Sequence, residues 1–437
     1  MSGISKSIRR AFPEFIKKPL RGILRKKTEI SEYPLIRKQP YLHERALERV
    51  RKKKIVKVAF FATHSSVWKY DGVYRLMEKD PRFDPIVVVC PVVNYGRENM
   101  IFEMQKAYNF FASKGLNVIK AYNEPTDTYL DVRNEINPDI IFYTNPYKGL
   151  IKDEYYITNF LDTLTCYVPY TFYVSNMGRA QYDLLFHNLL WKAYYETEIH
   201  KHMAAKSSRN KGNNILVAGY PGVDSYIYGL RLEGDVWKNP NTDLKRIIWA
   251  PHHTIDMREK LGYSCFLKYC QTILDIAKEE IGKVQIAFKP HPLLKVKLYE
   301  KWGKKRTDEY YYSWQNLSNG QLETDSSIDL FNTSDAMILD SASFTAEYLY
   351  CGKPSLFTFS DKTVRHRFNE FGNLALDIHY HAYNEDDIFA FISSVVLSGK
   401  DTKKNERLNF YNEYLKLPNG KKASLSIYED ICSTIFH

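Results

Sequence analysis

Four short segments of the sequence carry side chains that could bind a phosphate or move a proton. They are Gly219-Tyr220-Pro221-Gly222-Val223-Asp224, Trp249-Ala250-Pro251-His252-His253-Thr254, Lys289-Pro290-His291-Pro292 and Asp340-Ser341-Ala342-Ser343. Each segment follows a short apolar run that is typical of a buried strand. Loops that follow parallel strands converge on one cleft. We therefore expect one site for an anionic donor, and we assign Gly219 and Pro221 to it with the other segments.

The third segment offers a cation and a histidine. Lys289 can bind a phosphate oxygen as a point charge, and His291 can neutralise charge on a phosphoryl oxygen or protonate a leaving phosphate. The alternative for His291 is a side chain satisfied by the backbone in a turn fixed by prolines. His252 and His253 are also assigned to the donor. Because adjacent loop residues point in different directions and no carboxylate or HxxxH partner follows them, we predict no metal site.

The fourth segment predicts a strand that ends in a hydroxyl-rich helix start. Ser341 and Ser343 can present hydroxyls and backbone N–H groups to a diphosphate at a helix N-terminus. Asp340 and Glu347 would repel phosphate, so Glu347 is assigned to sugar or polyol hydroxyls within the donor site. Helix capping is the alternative role for Asp340 and the two serines.

These loops need strands to hold them, and the chain shows two series of apolar runs separated by helical segments. The first series is residues 55–62, 85–90, 116–122, 139–144 and 165–168, and the second is 214–218, 246–250, 284–288, 336–339 and 355–359. Strands that alternate with helices predict parallel sheets. The fold class is therefore α/β and GT-B-like, with two Rossmann-like parallel-sheet domains facing a central cleft. Residues 310–324 are predicted as a surface loop.

The predicted domains follow this pattern. They are a basic membrane-surface arm at residues 1–54, an acceptor domain at 55–210, a nucleotide-donor domain at 211–384 and C-terminal helices at 385–437. Whether those last helices cross back to the first domain is left open.

The net charge of +11 is concentrated near the N-terminus. Residues 1–27 contribute +8 and residues 28–54 contribute +4, so the remaining chain sums to −1. A nucleic-acid groove would need basic residues on the folded domains, so no nucleic-acid partner is predicted. Apolar residues at three-to-four spacing among Lys and Arg indicate a helix lying on an anionic membrane surface, which Pro13 and Pro19 would break or kink. A disordered tail or a partner-binding arm is the alternative.

Composition narrows the class further. The six Cys are scattered without CxxC pairs, which argues against a zinc site or a disulfide framework and fits a reducing cytoplasm. No run approaches the roughly 18 apolar residues of a spanning helix, and no secretory signal is found. We therefore predict a cytoplasmic protein that is peripheral at the inner face of the cell membrane.

The order of the four segments resembles the CDP-glycerol glycerophosphotransferase family of teichoic-acid and capsule enzymes, which have the GT-B fold. That family runs glycine-proline-arginine-x-aspartate, tyrosine-alanine-proline, histidine-proline, then aspartate-tyrosine-serine-serine before lysine-proline. The matching positions here are Gly219 to Asp224, Trp249-Ala250-Pro251, His291-Pro292, Asp340 to Ser343 and Lys353-Pro354. Three departures are notable: Gly222 stands where the family has arginine, Ser341-Ala342 replace the tyrosine and first serine, and His252-His253 replace threonine-tryptophan.

The resemblance implies transfer of a glycerol or ribitol phosphate from a CDP-linked donor to a hydroxyl of a cell-surface glycan or lipid-linked acceptor, with release of CMP. Such in-line displacement needs mainly positioning and charge stabilisation. No cofactor is required, and Mg²⁺ could assist the diphosphate although no Asp-x-Asp pair is present. Two alternatives stay open: a GT-B glycosyltransferase that uses a nucleotide sugar, and a non-catalytic docking protein of a capsule-synthesis complex.

The acceptor half departs most from the family. Its tryptophan-histidine-glycine-threonine motif, which carries the proposed base, is absent, and residues 167–171 read Tyr-Val-Pro-Tyr-Thr near the expected position. His64 and His187 are the candidate bases, and His64 is preferred because it follows the first predicted strand. Asp71 and Tyr74 are assigned to acceptor hydroxyls.

Overall fold

Two parallel sheets organise the part of the chain that the computed structural model describes, residues 14–227, 236–258, 261–324, 328–417 and 420–437. The strands are β1 Val56–Ala62, β2 Phe83–Val89, β3 Val118–Lys120, β4 Tyr122–Asn123, β5 Thr128–Tyr129, β6 Ile140–Tyr143, β7 Leu164–Tyr167, β8 Lys192–Tyr195, β9 Ile215–Val217, β10 Lys245–Ala250, β11 Val284–Phe288, β12 Gly320–Leu322, β13 Ala336–Leu339, β14 Ser355–Thr358 and β15 Tyr380–Ala382. The helices are α1 Glu14–Val50, α2 Asp71–Lys79, α3 Arg97–Ser113, α4 Arg179–Tyr182, α5 Leu185–Leu189, α6 Glu198–Ser207, α7 Asp224–Ile227, α8 Phe266–Glu279, α9 Pro292–Trp302, α10 Lys304–Asn316, α11 Ile328–Thr333, α12 Phe344–Glu347, α13 Glu370–Ile378, α14 Glu385–Ala390, α15 Lys404–Phe410 and α16 Ala423–Phe436.

The first unit is built on a seven-stranded parallel sheet with the order β3-β2-β1-β6-β7-β8-β9. Its central strands are continuous apolar runs because helices and loops cover both faces of the sheet. Phe60 on β1 stacks on Phe142 of β6 with 4.8 Å between ring centroids. This sheet holds the loops that were assigned to the acceptor.

The boundary between the units differs from the prediction. Residues 214–218 were placed at the start of the second series, but β9 pairs with β8 and completes the first sheet. The short strand β8 is not among the predicted runs, so the predicted first series ended at β7, two strands too early. Strand pairing is a long-range property, which the length and apolarity of a run do not specify.

The second unit is a six-stranded parallel sheet with the order β12-β11-β10-β13-β14-β15. The prediction of a surface loop at residues 310–324 is wrong, because these residues form the second half of α10 and all of β12. Tyr310, Tyr311 and Trp314 are buried in the core of this unit. Tyrosine therefore behaves as a core residue in this segment, although its polar neighbours suggest a loop.

The N-terminal helix α1 continues through Pro19, where a break or kink was predicted. Its C-terminal half belongs to the first unit: Ile36, Ala46 and Val50 are buried there, and the Gln39 side chain donates to the Leu161 carbonyl at 2.9 Å. The predicted arm at residues 1–54 is therefore not a separate domain. Residues 1–13, including Pro13, lie outside the described residues.

The last helix, α16, packs against the first unit. Ile427 and Ile431 are buried in the core around β1, and the Asp430 carboxylate accepts from Lys192 Nζ at 2.6 Å and Tyr194 OH at 2.7 Å. The Asp224 carboxylate accepts the first free backbone N–H groups of α16 at 2.9 Å. Residues 385–437 thus join the two units. Among the described residues, no helix combines the length and apolarity that a bilayer crossing requires.

Candidate functional site

Three loops meet at the carboxyl edge of the second sheet. Strand β10 lies between β11 and β13, and the register pairs Trp249 with Phe288 and Ala250 with Leu339. Because the three strands run in parallel and end at the same level, the residues that follow them leave the sheet side by side. Residues 251–254, 289–292 and 340–343 therefore lie side by side and form one wall, the candidate site.

The side chains of His252, His253 and His291 form a cluster on this wall. The ring centroids are 4.4 Å apart for His252 and His253, 4.2 Å for His253 and His291, and 4.9 Å for His252 and His291. The expectation that the adjacent histidines point in different directions is wrong, because both rings lie within 4.9 Å of the His291 ring. One ring nitrogen from each lies within 4.8 Å of the others, a spacing at which the cluster could hold a metal ion.

The hydrogen bonds of His291 decide which of its nitrogens is a donor. Its Nδ1 accepts the backbone N–H of Leu293 at 3.1 Å and so caps α9. In the neutral imidazole the proton is then on Nε2, which can donate a hydrogen bond but offers no lone pair to a metal. Burial, then the charges of His253 and Lys297, lowers the pKa of His291 to about 3. His291 is therefore neutral at pH 7 and suits an anionic ligand better than a metal.

His252 is fixed from two sides. Its Nδ1 shares a hydrogen bond of 2.9 Å with Thr254 Oγ1, and its ring stacks on Tyr263 with 5.4 Å between centroids. Burial, then the charges of His291 and His253, lowers the pKa of His252 well below its usual value. His252 and His291 are thus neutral imidazoles whose orientations are fixed by their hydrogen bonds.

Asp340 holds the histidine loop in place instead of facing a ligand, which corrects its assignment to donor binding. Its carboxylate accepts the backbone N–H groups of His252 and Cys265, each at 2.6 Å, and lies 3.2 Å from Ser264 Oγ. Asp340 is buried, and both of its carboxylate oxygens accept these hydrogen bonds. Burial raises the pKa of Asp340 to about 6, while the hydrogen bonds favour its ionised form.

The hydroxyl-rich helix start is a four-residue helix, α12, that begins after Ser343. Ser341 is buried, and its carbonyl accepts from Thr345 Oγ1 at 2.8 Å, whereas Ser343 is half-buried. Glu347 is buried at the other end. Burial raises the pKa of Glu347, and the charge of Lys69 and a hydrogen bond from Ser343 offset part of this effect. Ser343 and Glu347 therefore interact beside the wall that carries the histidines.

The remaining donor assignments fall in two places. Lys289 is buried on the wall, and its backbone N–H donates to the Trp249 carbonyl at 2.8 Å. Gly219 has a φ of 80°, and a Cβ there would lie 2.8 Å from Leu417 Cδ1, so it permits a close approach of the chain before α16. Pro221 starts a single 3₁₀ turn. Gly219 and Pro221 thus shape the connection between the units.

The first unit brings His64 to the carboxyl end of β1. Its Nδ1 lies 3.4 Å from Glu103 Oε2, and about a third of its side chain is exposed. The alternative base, His187, lies on α5 and is buried, and its Nδ1 accepts the Leu184 N–H at 3.2 Å. Burial lowers the pKa of His187 to about 3. His187 is therefore a core residue, and His64 stays the accessible candidate.

The two residues assigned to acceptor hydroxyls have structural contacts. Tyr74 is buried, and its hydroxyl donates to the Pro85 carbonyl at 3.3 Å and accepts the Asn117 N–H at 2.9 Å. Asp71 accepts from Trp68 Nε1 at 2.7 Å and is paired with Lys114. The assignment of Tyr74 to acceptor hydroxyls is therefore wrong, because Tyr74 is one of the buried residues of α2.

Comparison with protein families matches the one described as CDP-glycerol:poly(glycerophosphate) glycerophosphotransferase to residues 188–433, more than half of the chain. Among solved structures, the wall teichoic acid polymerase TagF gives a TM-score of 0.55 at 16% identity over 97% of this chain and 98% of that one. A UDP-N-acetylglucosamine 2-epimerase gives 0.55 at 13% identity, over 88% and 97% of the two chains. The UDP-GlcNAc 2-epimerase from Neisseria meningitidis gives 0.53 at 12% identity, over 87% and 99%. These likenesses establish the GT-B-like fold, and comparison with curated protein sequences gives no match.

Proposed function

Because the chain belongs to the CDP-glycerol:poly(glycerophosphate) glycerophosphotransferase family, we propose that its histidine-lined wall binds the diphosphate of a CDP-linked polyol. The enzyme is a transferase that moves glycerol phosphate from CDP-glycerol to an acceptor hydroxyl. The observation that carries our assignment of the site is the fixed tautomer of His291, which directs an N–H group away from its own helix cap.

This arrangement suits an in-line displacement at phosphorus. The acceptor oxygen attacks the phosphorus that bears the glycerol, the bond from that phosphorus to the bridging oxygen breaks, and CMP leaves with the bridging oxygen. Negative charge develops on CMP, and the Nε2–H of His291 can donate a hydrogen bond to it. A neutral imidazole is a poor acid, so His291 stabilises the leaving group instead of protonating it. Lys289 adds a point charge.

The acceptor hydroxyl must lose its proton to a base. His64 is the proposed base because it is partly exposed at the carboxyl end of β1 and lies 3.4 Å from the Glu103 carboxylate, which can stabilise the imidazolium. No cofactor is required by this scheme. Mg²⁺ could neutralise part of the diphosphate charge.

The acceptor is proposed to be a glycan or a lipid-linked glycan of a cell-surface polymer such as teichoic acid or capsule polysaccharide. Nine Lys and Arg within residues 1–27 would hold the enzyme at an anionic membrane surface. We therefore place it in the cytoplasm, peripheral at the inner face of the membrane. A lipid-linked acceptor would be presented to the cleft there.

The experiment is an assay of the purified enzyme with CDP-glycerol, CDP-ribitol or UDP-sugars and a lipid-linked or oligosaccharide acceptor. Release of CMP with a phosphodiester in the product, seen by ³¹P NMR, supports the proposal. Release of a nucleoside diphosphate would instead identify a glycosyltransferase, and absence of donor turnover would favour a docking protein.

A further inference from the structure

Lys69 reaches from the first unit towards the connection between the two units. It lies between the turn Ser65–Val67 and α2, and its side chain is half-buried. Its Nζ donates to the Ser66 carbonyl at 3.3 Å and lies 5.9 Å from the ring centre of Tyr220. Tyr220 belongs to the loop that leads from β9 of the first unit into α7. An ammonium group is thus held against the first of the four predicted site segments.

The same side chain covers Gly222. A Cβ at position 222 would lie 3.1 Å from Lys69 Cδ and 2.5 Å from Tyr220 Cε1. The family motif has arginine at this position, and here its space is taken by a lysine that is distant in sequence. The absence of a side chain at Gly222 therefore makes room for the Lys69 side chain.

The region around Lys69 also contacts the segment that follows α12. Phe172 lies 5.3 Å from Tyr220 and 6.5 Å from Tyr350, which follows α12, so this aromatic contact joins the Lys69 region to the end of that helix. Burial lowers the pKa of Lys69, and the negative charge of Glu347 raises it. The Glu347 carboxylate, which also takes a hydrogen bond from Ser343, therefore balances the charge of Lys69.

We propose that Lys69 is a donor-binding residue whose ammonium group contacts an anionic oxygen of the diphosphate, in place of the arginine that the family motif carries at position 222. This inference rests on the proposed function. Without ligand, the Glu347 carboxylate balances the lysine charge. With donor bound, the diphosphate takes over this role, and the cleft holds it between Lys69 of the first unit and the histidines of the second.

The test compares Lys69→Met with Lys69→Arg by calorimetric titration with CDP-glycerol and with cytidine, which has no phosphate. Loss of a charged contact is expected to raise the Kd of Lys69→Met for CDP-glycerol about 10- to 100-fold. The Kd for cytidine should not change, and Lys69→Arg should stay within about threefold of wild type. Lys53→Met is the matched control, because Lys53 is paired with Asp139 before β1, at the opposite edge of the first sheet.

Each other outcome is decisive. If Lys69→Met binds CDP-glycerol and cytidine equally more weakly than wild type, Lys69 has a structural role. If both affinities are unchanged, Lys69 does not contribute to binding. Either result overturns the inference, while activity of the wild type leaves the proposed function standing. If wild type itself fails to bind CDP-glycerol, the proposed function is the one that fails.

A second measurement uses the native protein and does not depend on the stability of a variant. An acylating reagent is added, and the modification of Lys69 is measured by peptide mass spectrometry. CDP-glycerol should protect Lys69 and cytidine should not. Equal modification with and without CDP-glycerol, under conditions where the donor turns over, would overturn the inference.

Discussion

Replacement of His291 by asparagine separates its two functions. The imidazole caps α9 through Nδ1, which accepts the Leu293 N–H, and offers the Nε2–H to the site. Asparagine is a good N-cap residue, so His291→Asn should keep the cap, but its amide is too short to reach the position of Nε2. His291→Ala removes both groups.

The magnitudes follow from these contacts. Removal of one donor that stabilises charge in the transition state costs about 100- to 1000-fold in kcat, and both variants should show it. Loss of the cap costs about 1 kcal/mol, which only His291→Ala should show as a fall in melting temperature of about 2–4 °C. The two variants should therefore be equally inactive and differ in stability.

The assay is CMP release at saturating CDP-glycerol, measured from pH 5 to 9 with calorimetric melting of each protein. Because the pKa of His291 is lowered to about 3, the imidazole is neutral throughout this range, and the ratio of wild-type to variant kcat should be constant. A ratio that declines as the pH rises through about 6.5 would show that an imidazolium acts as an acid and would refute the reasoning. Full activity of His291→Asn would remove His291 from the site.

Four further predictions follow from the same structure. Burial raises the pKa of Glu196 from 4.5 to about 8, so between these pH values the folded state binds a proton that the unfolded chain releases. The stability of the wild type therefore falls as the pH rises through this range, and Glu196→Gln lacks this loss. Urea unfolding should show a larger stability gain of the variant over wild type at pH 9 than at pH 5. Asp340→Asn should destabilise the second unit by about 1–3 kcal/mol and weaken donor binding, measured by urea unfolding and titration, because His252 and Cys265 would lose a carboxylate acceptor. EDTA should leave CMP release unchanged, and loss of activity that Mg²⁺ restores would assign a role to the metal. Deletion of residues 1–27 should abolish sedimentation with anionic liposomes but spare turnover of a soluble acceptor, and retained sedimentation would contradict the membrane role of that segment.

The sequence alone predicted the local features of the fold, such as the positions of central strands. Continuous apolar runs such as residues 284–288 and 336–339 predicted β11 and β13 at their observed places, because strands buried on both faces need apolar side chains at every position. The order of the motifs from Gly219 to Lys353-Pro354 identified the family, which the family comparison confirms. Four of these motifs follow strands β9, β10, β11 and β13 in chain order, and Lys353-Pro354 precedes β14.

The short strands and the tyrosine-rich helix were missed for the same kind of reason. Strand β8 is four residues long and contains a lysine, and α10 contains Tyr310 and Tyr311 among polar residues. Their apolar character appears only when neighbouring elements bury them, so local composition is ambiguous. A helical spacing of Tyr310, Tyr311 and Trp314 was the signal that could have found α10.

Tertiary structure alone decided which side chains meet. The convergence of His252 and His253 with His291, the use of Asp340 as a clamp and the placement of Lys69 over Gly222 all join residues that are far apart in sequence. The sequence specifies which residues leave each strand, since burial and periodicity act over a few residues. The pairing of strands and the packing of the units depend on contacts over the whole chain, and these determine which loops form the site.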